Sequence, residues 1–219
     1  MRVLAVPVKS LEGAKGRLAP LLAPIERAAL TLAMLEDVLD ATAGQSGWET
    51  WVVSPDEAVL EVAVRRGATA FVEPPGTGSA GLLRAIGAVE AAVHGGSSAL
   101  AVLLADLPLL TAAALAVALE PADRAAVVAG PAGSDGGTNL LVRRPPAVIT
   151  ARFGRRSFAK HRWAAGRAGA SFVPVDVAEL AFDLDRPDDV ARFLAAERPG
   201  RTRSVCLDLA LDERVRLRA

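Results

Sequence analysis

Three aspartates lie at or near the ends of apolar runs, where the strands of an α/β protein would place functional side chains. Asp106 follows an apolar run in "LLADLPLLT", and "FDLD" places Asp183 and Asp185 two residues apart. A carboxylate at the end of a buried strand costs desolvation free energy unless a cation pairs with it, and divalent cations prefer oxygen ligands. The second run predicts a strand over 180–185, on which both carboxylates face the same side and repel each other unless a cation lies between them. The three side chains therefore predict a site for one or two Mg²⁺ ions.

Each aspartate also has a structural interpretation. Asp106 could cap the next helix, although Thr111 is the better placed cap. Asp183 and Asp185 could belong to a surface turn, because "DRPDD" follows them and is typical of a helix start. Only the metal interpretation requires all three carboxylates to meet in one crevice.

The loop after the first apolar run is rich in cations. In "VPVKSLEGAKGRLAPLL", the side chains of Lys9, Lys15 and Arg17 are separated by glycines. A glycine-containing turn that leads into a helix presents backbone N–H groups, and cations beside it would form a pocket for several phosphate oxygens. The stretch is neither a Walker A motif nor a dinucleotide fingerprint, and a solvated basic loop is the alternative.

Two later loops combine glycines with hydroxyl or basic groups. "GSDGGTNLL" places Thr138 before a strand, and "RFGRRSFAKH" places Gly154 and Ser157 at the start of a helix beside three arginines. Backbone N–H groups at a helix N-terminus, a hydroxyl and guanidinium groups would bind a small phosphorylated acid, although either loop alone is more simply interpreted as a turn. His161, in the same basic helix, is expected at the surface or behind the site.

These residues must be positioned by alternating strands and helices. Strand-like apolar runs cover 3–8, 50–54, 68–72, 99–105, 125–130, 138–144, 171–175 and 180–185, and helices are predicted over 24–43, 56–66, 79–94, 111–119, 156–168 and 187–197. Runs that are apolar on both faces suit a sheet covered by helices on each side, so the alternation predicts a three-layer α/β domain. Ligands of such sheets bind beyond the carboxyl ends of the strands, where the loops above begin.

The composition limits the function classes. The 219 residues are 52% hydrophobic, and their 25 basic and 25 acidic side chains argue against nucleic-acid binding through bulk charge. A single Cys206 excludes an intramolecular disulfide, and no signal peptide or membrane span is visible, so a cytoplasmic protein is expected. Residues 1–198 are predicted to form one domain, and 199–219 a tail that could be an edge strand, a homodimer contact or a loose end.

Five of these motifs occur in an order that resembles a known enzyme family. "VPVKSLEGAKGRLAP", "LLADLPLLT", "GGTNLL", "FGRRSFAKH" and "FDLDRPDD" look like the guanylyltransferases of coenzyme F-420 biosynthesis, which act on phosphoenolpyruvate or 2-phospho-L-lactate. The resemblance implies a three-layer, Rossmann-like nucleotidyltransferase fold of the nucleotide-diphospho-sugar transferase type, with a mostly parallel sheet. It also implies transfer of GMP from GTP to the phosphate of a three-carbon phospho-acid, with release of pyrophosphate.

The resemblance implies roles for individual residues as well. The metal ligands would be Asp106, Asp183 and Asp185; the phospho-acid would contact Thr138, Gly154 and Ser157; the nucleotide would contact Pro7, Lys9, Lys15, Arg17 and Gly81. Lys15 and Arg17 would also be catalytic, since cations there stabilise departing pyrophosphate. No general base is needed, because a phosphate with a second pKa of about 6 is already largely dianionic.

One residue departs from the family pattern, because "GLLRAI" has Leu83 where the family usually has Asn. One alternative is another nucleotidyltransferase of this fold, of the molybdopterin guanylyltransferase or sugar-phosphate cytidylyltransferase type. Those families usually open with an "LAGG"-like loop, from which this sequence differs. A second alternative is a non-catalytic nucleotide-binding protein on the same scaffold.

Overall fold

The structure is a computed structural model, and it describes residues 1–74, 81–93 and 96–217. The strands of its sheet are β1 (Arg2–Pro7), β2 (Glu49–Ser54), β3 (Thr69–Val72), β4 (Ala99–Leu103), β5 (Val127–Pro131), β6 (Thr138–Arg143) and β7 (Phe172–Pro174). They form one seven-stranded sheet in the order β3-β2-β1-β4-β6-β5-β7. The first seven predicted strands are confirmed, with ends shifted by at most two residues.

The direction of one strand matters for the site. Strands β3, β2, β1 and β4 are parallel, whereas β6 runs antiparallel to both β4 and β5. A strand that runs the opposite way begins where its neighbours end. Thr138, the first residue of β6, therefore lies at the same sheet edge as the loops that follow β1 and β4.

Helices cover both faces of this sheet. They are α1 (Pro24–Thr42), α2 (Glu57–Arg65), α3 (Gly81–Val93), α4 (Ala112–Leu119), α5 (Ser157–Arg167), α6 (Ala178–Ala181), α7 (Pro187–Ala195), α8 (Arg201–Asp208) and α9 (Leu211–Arg216). The Asp56 and Thr111 side chains accept backbone N–H groups at the starts of α2 and α4, as good N-caps do. The predicted helix over 79–94 is confirmed for 81–93, and residues 79, 80 and 94 lie outside the described part.

Alternate residues of β1 bury into opposite layers. Leu4 and Val6 pack in a cluster with residues of α1, α2 and α4. Val3 and Ala5 pack instead with residues of α3. Because successive side chains of a strand point to opposite faces, this alternation requires a helical layer on each side. The predicted three-layer α/β architecture is confirmed.

The strand predicted over 180–185 was wrong. Residues up to Ala181 form the short helix α6, and the chain from Phe182 to Asp185 has no repeating structure. Leu180 and Leu184 are both buried, but in different hydrophobic clusters. The Leu184 N–H donates to the Asp106 carbonyl at 3.0 Å, an isolated bond in place of a strand ladder. A short apolar run does not distinguish a strand from a buried turn of helix.

The C-terminal segment forms helices α8 and α9 and not an edge strand. The Asp37 carboxylate on α1 accepts the N–H groups of Arg201 and Thr202 at 2.7 and 2.9 Å, which caps α8. Gly200 permits this approach, because a Cβ there would lie 2.7 Å from an Asp37 oxygen. The segment is thus packed against the domain. No helix among the described residues is long and apolar enough to cross a membrane.

Candidate active site

The ends of β1 and β4 open into a cleft of about 790 Å³. It lies at the carboxyl ends of parallel strands, where ligands of α/β sheets bind. All the residues predicted to contact the nucleotide line it, and so do two of the predicted metal ligands: Pro7, Lys9, Lys15, Arg17, Gly81, Asp106 and Asp185.

Lys15 lies at the centre of the charged groups in this cleft. Its Nζ donates to Asp106 Oδ2 at 2.8 Å and to Asp185 Oδ1 at 2.6 Å, and Arg17 Nη1 lies 3.0 Å from Asp185 Oδ2. Burial lowers the pKa of Lys15, but the charges and hydrogen bonds of Asp106 and Asp185 outweigh it and raise the pKa above its usual value. The ammonium group therefore stays charged between two carboxylates.

The backbone around Lys15 is held in an unusual conformation. Lys15 has φ 48° and ψ 42°, a left-handed conformation that is uncommon outside glycine and often marks functional sites. Arg27 on α1 holds the loop, because its side chain donates to the Ala14 carbonyl at 3.0 Å and to the Leu22 carbonyl at 2.9 Å. On the other side of the cleft, Asp189 Oδ2 accepts the Asp185 N–H at 3.1 Å. Hydrogen bonds therefore hold the backbone at or near both Lys15 and Asp185.

The third aspartate differs from the other two. Asp183 accepts a hydrogen bond from Ser134 Oγ, at 3.2 Å to one oxygen and 3.3 Å to the other. Burial, together with the negative charges of Asp106 and Asp185, raises the pKa of Asp183. Burial also raises the pKa of Asp185, but the Lys15 charge, the Lys15 hydrogen bond and the Arg17 charge together outweigh it, so the pKa is lowered. Among the described residues, Asp106 and Asp185 are paired with cations, whereas Asp183 is paired with a neutral hydroxyl.

The donor set fits a hard divalent cation. Asp106 Oδ1 is buried and has no hydrogen-bond partner in the described part of the chain. The negative charges of Asp106 and Asp185 act on Asp183, so the three carboxylates lie near one another. No three groups of the described residues already lie at the spacing of metal ligands, and the Lys15 ammonium lies between two of the carboxylates. Mg²⁺ prefers oxygen ligands such as these carboxylates, and metal binding here stays a prediction.

The two loops predicted to bind an anion are joined to each other. The Phe158 N–H donates to the Gly136 carbonyl at 3.3 Å, and the Arg156 N–H donates to the Asp135 carbonyl at 3.4 Å. Ser157 Oγ, at the start of α5, lies 2.9 Å from Thr138 Oγ1 at the start of β6. Thr138 and Ser157 are buried, whereas Gly154 is exposed in the same loop. The structure thus brings the three residues into one region.

His161 was expected either at the surface or behind the site; it is completely buried, so the surface alternative was wrong. Its Nδ1 lies 3.1 Å from Thr138 Oγ1, and its Nε2 accepts the Arg152 N–H at 2.9 Å. Burial, and then the charges of Arg143, Lys160 and Arg152, lower the pKa of His161 to about 4. Basic neighbours in the sequence suggested a solvated helix face, but the ring lies on the inner side of α5.

A buried acid on the cleft wall was missed in the sequence. Glu73 follows β3, lines the cleft and accepts a hydrogen bond from Arg84 Nε at 2.6 Å. The signal was the same as for Asp106, an acid directly after an apolar run.

Leu83, the residue that departs from the family pattern, lies at the surface. Its side chain is 43% exposed, whereas its neighbours Gly81 and Leu82 line the cleft.

The sequence matches a family model described as "Guanylyl transferase CofC like" over residues 1–211. The chain belongs to this family. Its relatives include the phosphoenolpyruvate guanylyltransferase of Rubrobacter xylanophilus, 42% identical over 198 residues that cover 90% of this chain and 95% of the relative. The 3-phospho-D-glycerate guanylyltransferase of Phenylobacterium zucineum is 38% identical, with 90% and 91% covered. The 2-phospho-L-lactate guanylyltransferase of Haloarcula marismortui is 40% identical, with 87% and 84% covered.

Solved structures agree on the fold of this CofC-like protein. A protein of Desulfovibrio desulfuricans G20 named as a nucleotide-diphospho-sugar transferase superposes with a TM-score of 0.76 at 18% identity, covering 99% of this chain and 97% of the other. A 4-diphosphocytidyl-2C-methyl-D-erythritol synthase superposes with a TM-score of 0.60 at 14% identity, covering 90% and 99%. The predicted fold is confirmed by these likenesses. The predicted enzyme class, nucleotidyltransferase, is confirmed by the family.

Proposed function

We propose that this CofC-like protein transfers GMP from GTP to the phosphate of phosphoenolpyruvate, releases pyrophosphate and acts in coenzyme F-420 biosynthesis. The observation that carries the proposal is the cleft in which Lys15 lies between Asp106 and Asp185, at the same sheet edge as the joined anion loops. Two relatives named phosphoenolpyruvate guanylyltransferase, 42% and 40% identical, favour this phospho-acid.

The nucleotide half of the site is the cleft. Lys9, Lys15 and Arg17 would bind the triphosphate oxygens, and Lys15 and Arg17 would stabilise the charge on departing pyrophosphate. Pro7 and Gly81 line the same cleft and would contact the nucleoside. Asp106, Asp183 and Asp185 would hold Mg²⁺, which when bound supplies charge neutralisation and polarisation of the α-phosphoryl group.

The phospho-acid half is formed by the joined anion loops. Thr138, Gly154 and Ser157 would hold the acid so that a phosphate oxygen faces the α-phosphorus of GTP. The new bond joins that oxygen to the α-phosphorus, and the bond from the α-phosphorus to the bridging oxygen breaks, so pyrophosphate leaves with the electron pair. Alignment of a nucleophile that is already ionised supplies much of such a rate enhancement, so the reaction requires no general base.

Pyrophosphate release tests the proposal directly. The purified protein would be mixed with Mg²⁺, one phospho-acid and one of GTP, ATP, CTP or UTP. We expect release with GTP and phosphoenolpyruvate, and none in excess EDTA. Faster turnover of 2-phospholactate or 3-phosphoglycerate would reassign the acceptor, equal use of all four nucleotides would refute GTP specificity, and no release with any pair would favour a non-catalytic nucleotide-binding protein.

A further inference from the structure

Two hydrogen-bond donors converge on one hydroxyl oxygen behind the phospho-acid half of the site. Thr138 Oγ1 accepts from Ser157 Oγ–H at 2.9 Å and lies 3.1 Å from His161 Nδ1. All three side chains are at most 2% exposed. A hydroxyl oxygen has two acceptor lone pairs and one hydrogen, so what it offers a ligand depends on how its lone pairs are used.

The second ring nitrogen of His161 determines which group donates. His161 Nε2 lies 2.9 Å from the backbone nitrogen of Arg152, which is always a donor, so Nε2 must be the acceptor. The neutral ring then carries its hydrogen on Nδ1 and donates it to Thr138 Oγ1. Burial and three neighbouring cations, Arg143, Lys160 and Arg152, keep the pKa of His161 at about 4, so the ring is neutral at physiological pH.

The Thr138 hydroxyl can consequently donate its hydrogen to another acceptor. When the Ser157 hydroxyl donates to Thr138, Ser157 and His161 fill both lone pairs of Oγ1, and no described residue accepts from Thr138 Oγ1. Thr138 opens β6 at the sheet edge that holds the cleft, and its backbone follows the glycine loop 136–137. A donor with no protein acceptor at this edge suits an anionic oxygen of a ligand.

We propose that His161 is a positioning residue for the phospho-acid, because it fills the acceptor capacity of Thr138 and leaves the Thr138 hydroxyl as a donor to the substrate. The inference deepens the proposed function and rests on it. The same ring ties together three segments, because it lies on α5, faces the start of β6 and accepts from the loop residue Arg152. Removal of its Nδ1 donor would free Thr138 to turn its hydrogen inward.

Two amide substitutions separate the contacts of the two ring nitrogens. His161→Asn places an amide nitrogen near the former Nδ1 and keeps a donor for Thr138. His161→Gln places an amide oxygen near the former Nε2, keeps an acceptor for the Arg152 N–H and removes the donor to Thr138. We expect His161→Gln to raise the KM for phosphoenolpyruvate roughly tenfold, about 1.4 kcal/mol, while the KM for GTP changes less than twofold. His161→Asn should raise the phospho-acid KM less.

A purely structural role would give a different result. Partial unfolding lowers kcat and the melting temperature but leaves both KM values unchanged, and this outcome in His161→Gln would overturn the proposal. Equal rises of both KM values, or a larger phospho-acid effect in His161→Asn, would also overturn it. Arg167→Gln, an exposed change in the last turn of the same helix, is the matched control and should leave both KM values unchanged.

The tautomer can be measured without activity. In ¹⁵N NMR spectra of the free protein near pH 7, we expect the His161 hydrogen on Nδ1, and a hydrogen on Nε2 would refute the inference. Wild-type turnover is measured first, and KM comparisons use the phospho-acid that the wild type accepts. Absence of any wild-type turnover would refute the proposed function, and the substrate role of His161 with it, whereas normal wild-type turnover with an unchanged His161→Gln KM refutes the His161 role alone.

Discussion

Replacing each of two site aspartates by asparagine should change the stability of the ligand-free protein in opposite directions. Asp185 accepts from Lys15 and Arg17, and these cations lower its pKa against the effect of burial. Asp183 accepts from the neutral Ser134 hydroxyl, and burial and the neighbouring carboxylates raise its pKa. Asparagine keeps the shape of each side chain and removes only its charge. Asp185→Asn therefore removes an attraction, and Asp183→Asn removes a repulsion.

The magnitudes follow from exposure. Breaking a fully buried ion pair costs about 3–5 kcal/mol, and breaking an exposed pair costs about 0–1 kcal/mol. The Asp185 side chain is 29% exposed, between these limits, so we expect a loss of about 2 kcal/mol. Asp183→Asn should gain about 0.5–1 kcal/mol, as relief of like-charge strain at functional sites does. For a chain of this length, these values correspond to a melting temperature about 4–8 °C lower and about 1–4 °C higher.

The assay is thermal unfolding of both variants and the wild type in EDTA, followed by pyrophosphate release with Mg²⁺. Both variants should lose activity on the order of a thousandfold, as expected when about 4 kcal/mol of transition-state stabilisation is removed. The gain in Asp183→Asn should vanish in acid: its folded pKa is raised, so the wild-type carboxylate is neutral in both states below about 3.8. A Tm decrease of similar size in both variants, or normal turnover in either, would refute the assignment of Asp183 as an uncompensated ligand.

Four further predictions follow from single features. Lowering the pH from 6.5 to about 4 should destabilise the protein, because His161 takes up a proton in the unfolded chain before it does so in the folded protein. Urea unfolding should show that the free energy of unfolding falls by up to roughly 3 kcal/mol over this range, and His161→Gln should abolish this pH dependence. Gly200→Ala should lower the free energy of unfolding by about 1–3 kcal/mol, since its Cβ would meet the Asp37 carboxylate. Lys15→Met should lower the Tm in EDTA, and Mg²⁺ should raise that Tm more than in the wild type, because two carboxylates lose their ammonium partner. Leu83→Asn should change the KM for GTP less than twofold in steady-state assays, because Leu83 lies at the surface.

Local sequence signals predicted most of the fold. Thr111 and Asp56 are N-caps because their side chains can accept backbone N–H groups within three residues, and such signals need no knowledge of the rest of the chain. The apolar runs that became β1 and β4 are buried on both faces, so they carry the composition of central strands. The strand prediction over 180–185 was wrong because burial there does not depend on local signals. Leu180 and Leu184 are buried by distant elements, and their spacing alone imitates strand alternation.

Most residues singled out for the nucleotide and the metal line the cleft, but the sequence did not predict their contacts with one another. Lys15 is 91 residues from Asp106 and 170 residues from Asp185, so no local pattern could indicate that one ammonium group binds both carboxylates. Asp183 and Asp185 were expected to face the same side because they were placed on one strand. Without the strand they have different partners, and only one of them is paired with cations.

The C-terminal helices pack against the segments that carry Arg17 and Asp185. Leu18 directly follows Arg17, and Leu184 directly precedes Asp185, and both leucines are buried in one cluster with Cys206 on α8. Burial of these leucines fixes the backbone on either side of the cleft, so the adjacent charges must point outward into it. The free energy that holds Arg17 near Asp185 against solvent therefore comes largely from apolar burial, since an ion pair this exposed contributes little by itself. The last helices thus support the backbone next to Arg17 and Asp185 through this shared cluster.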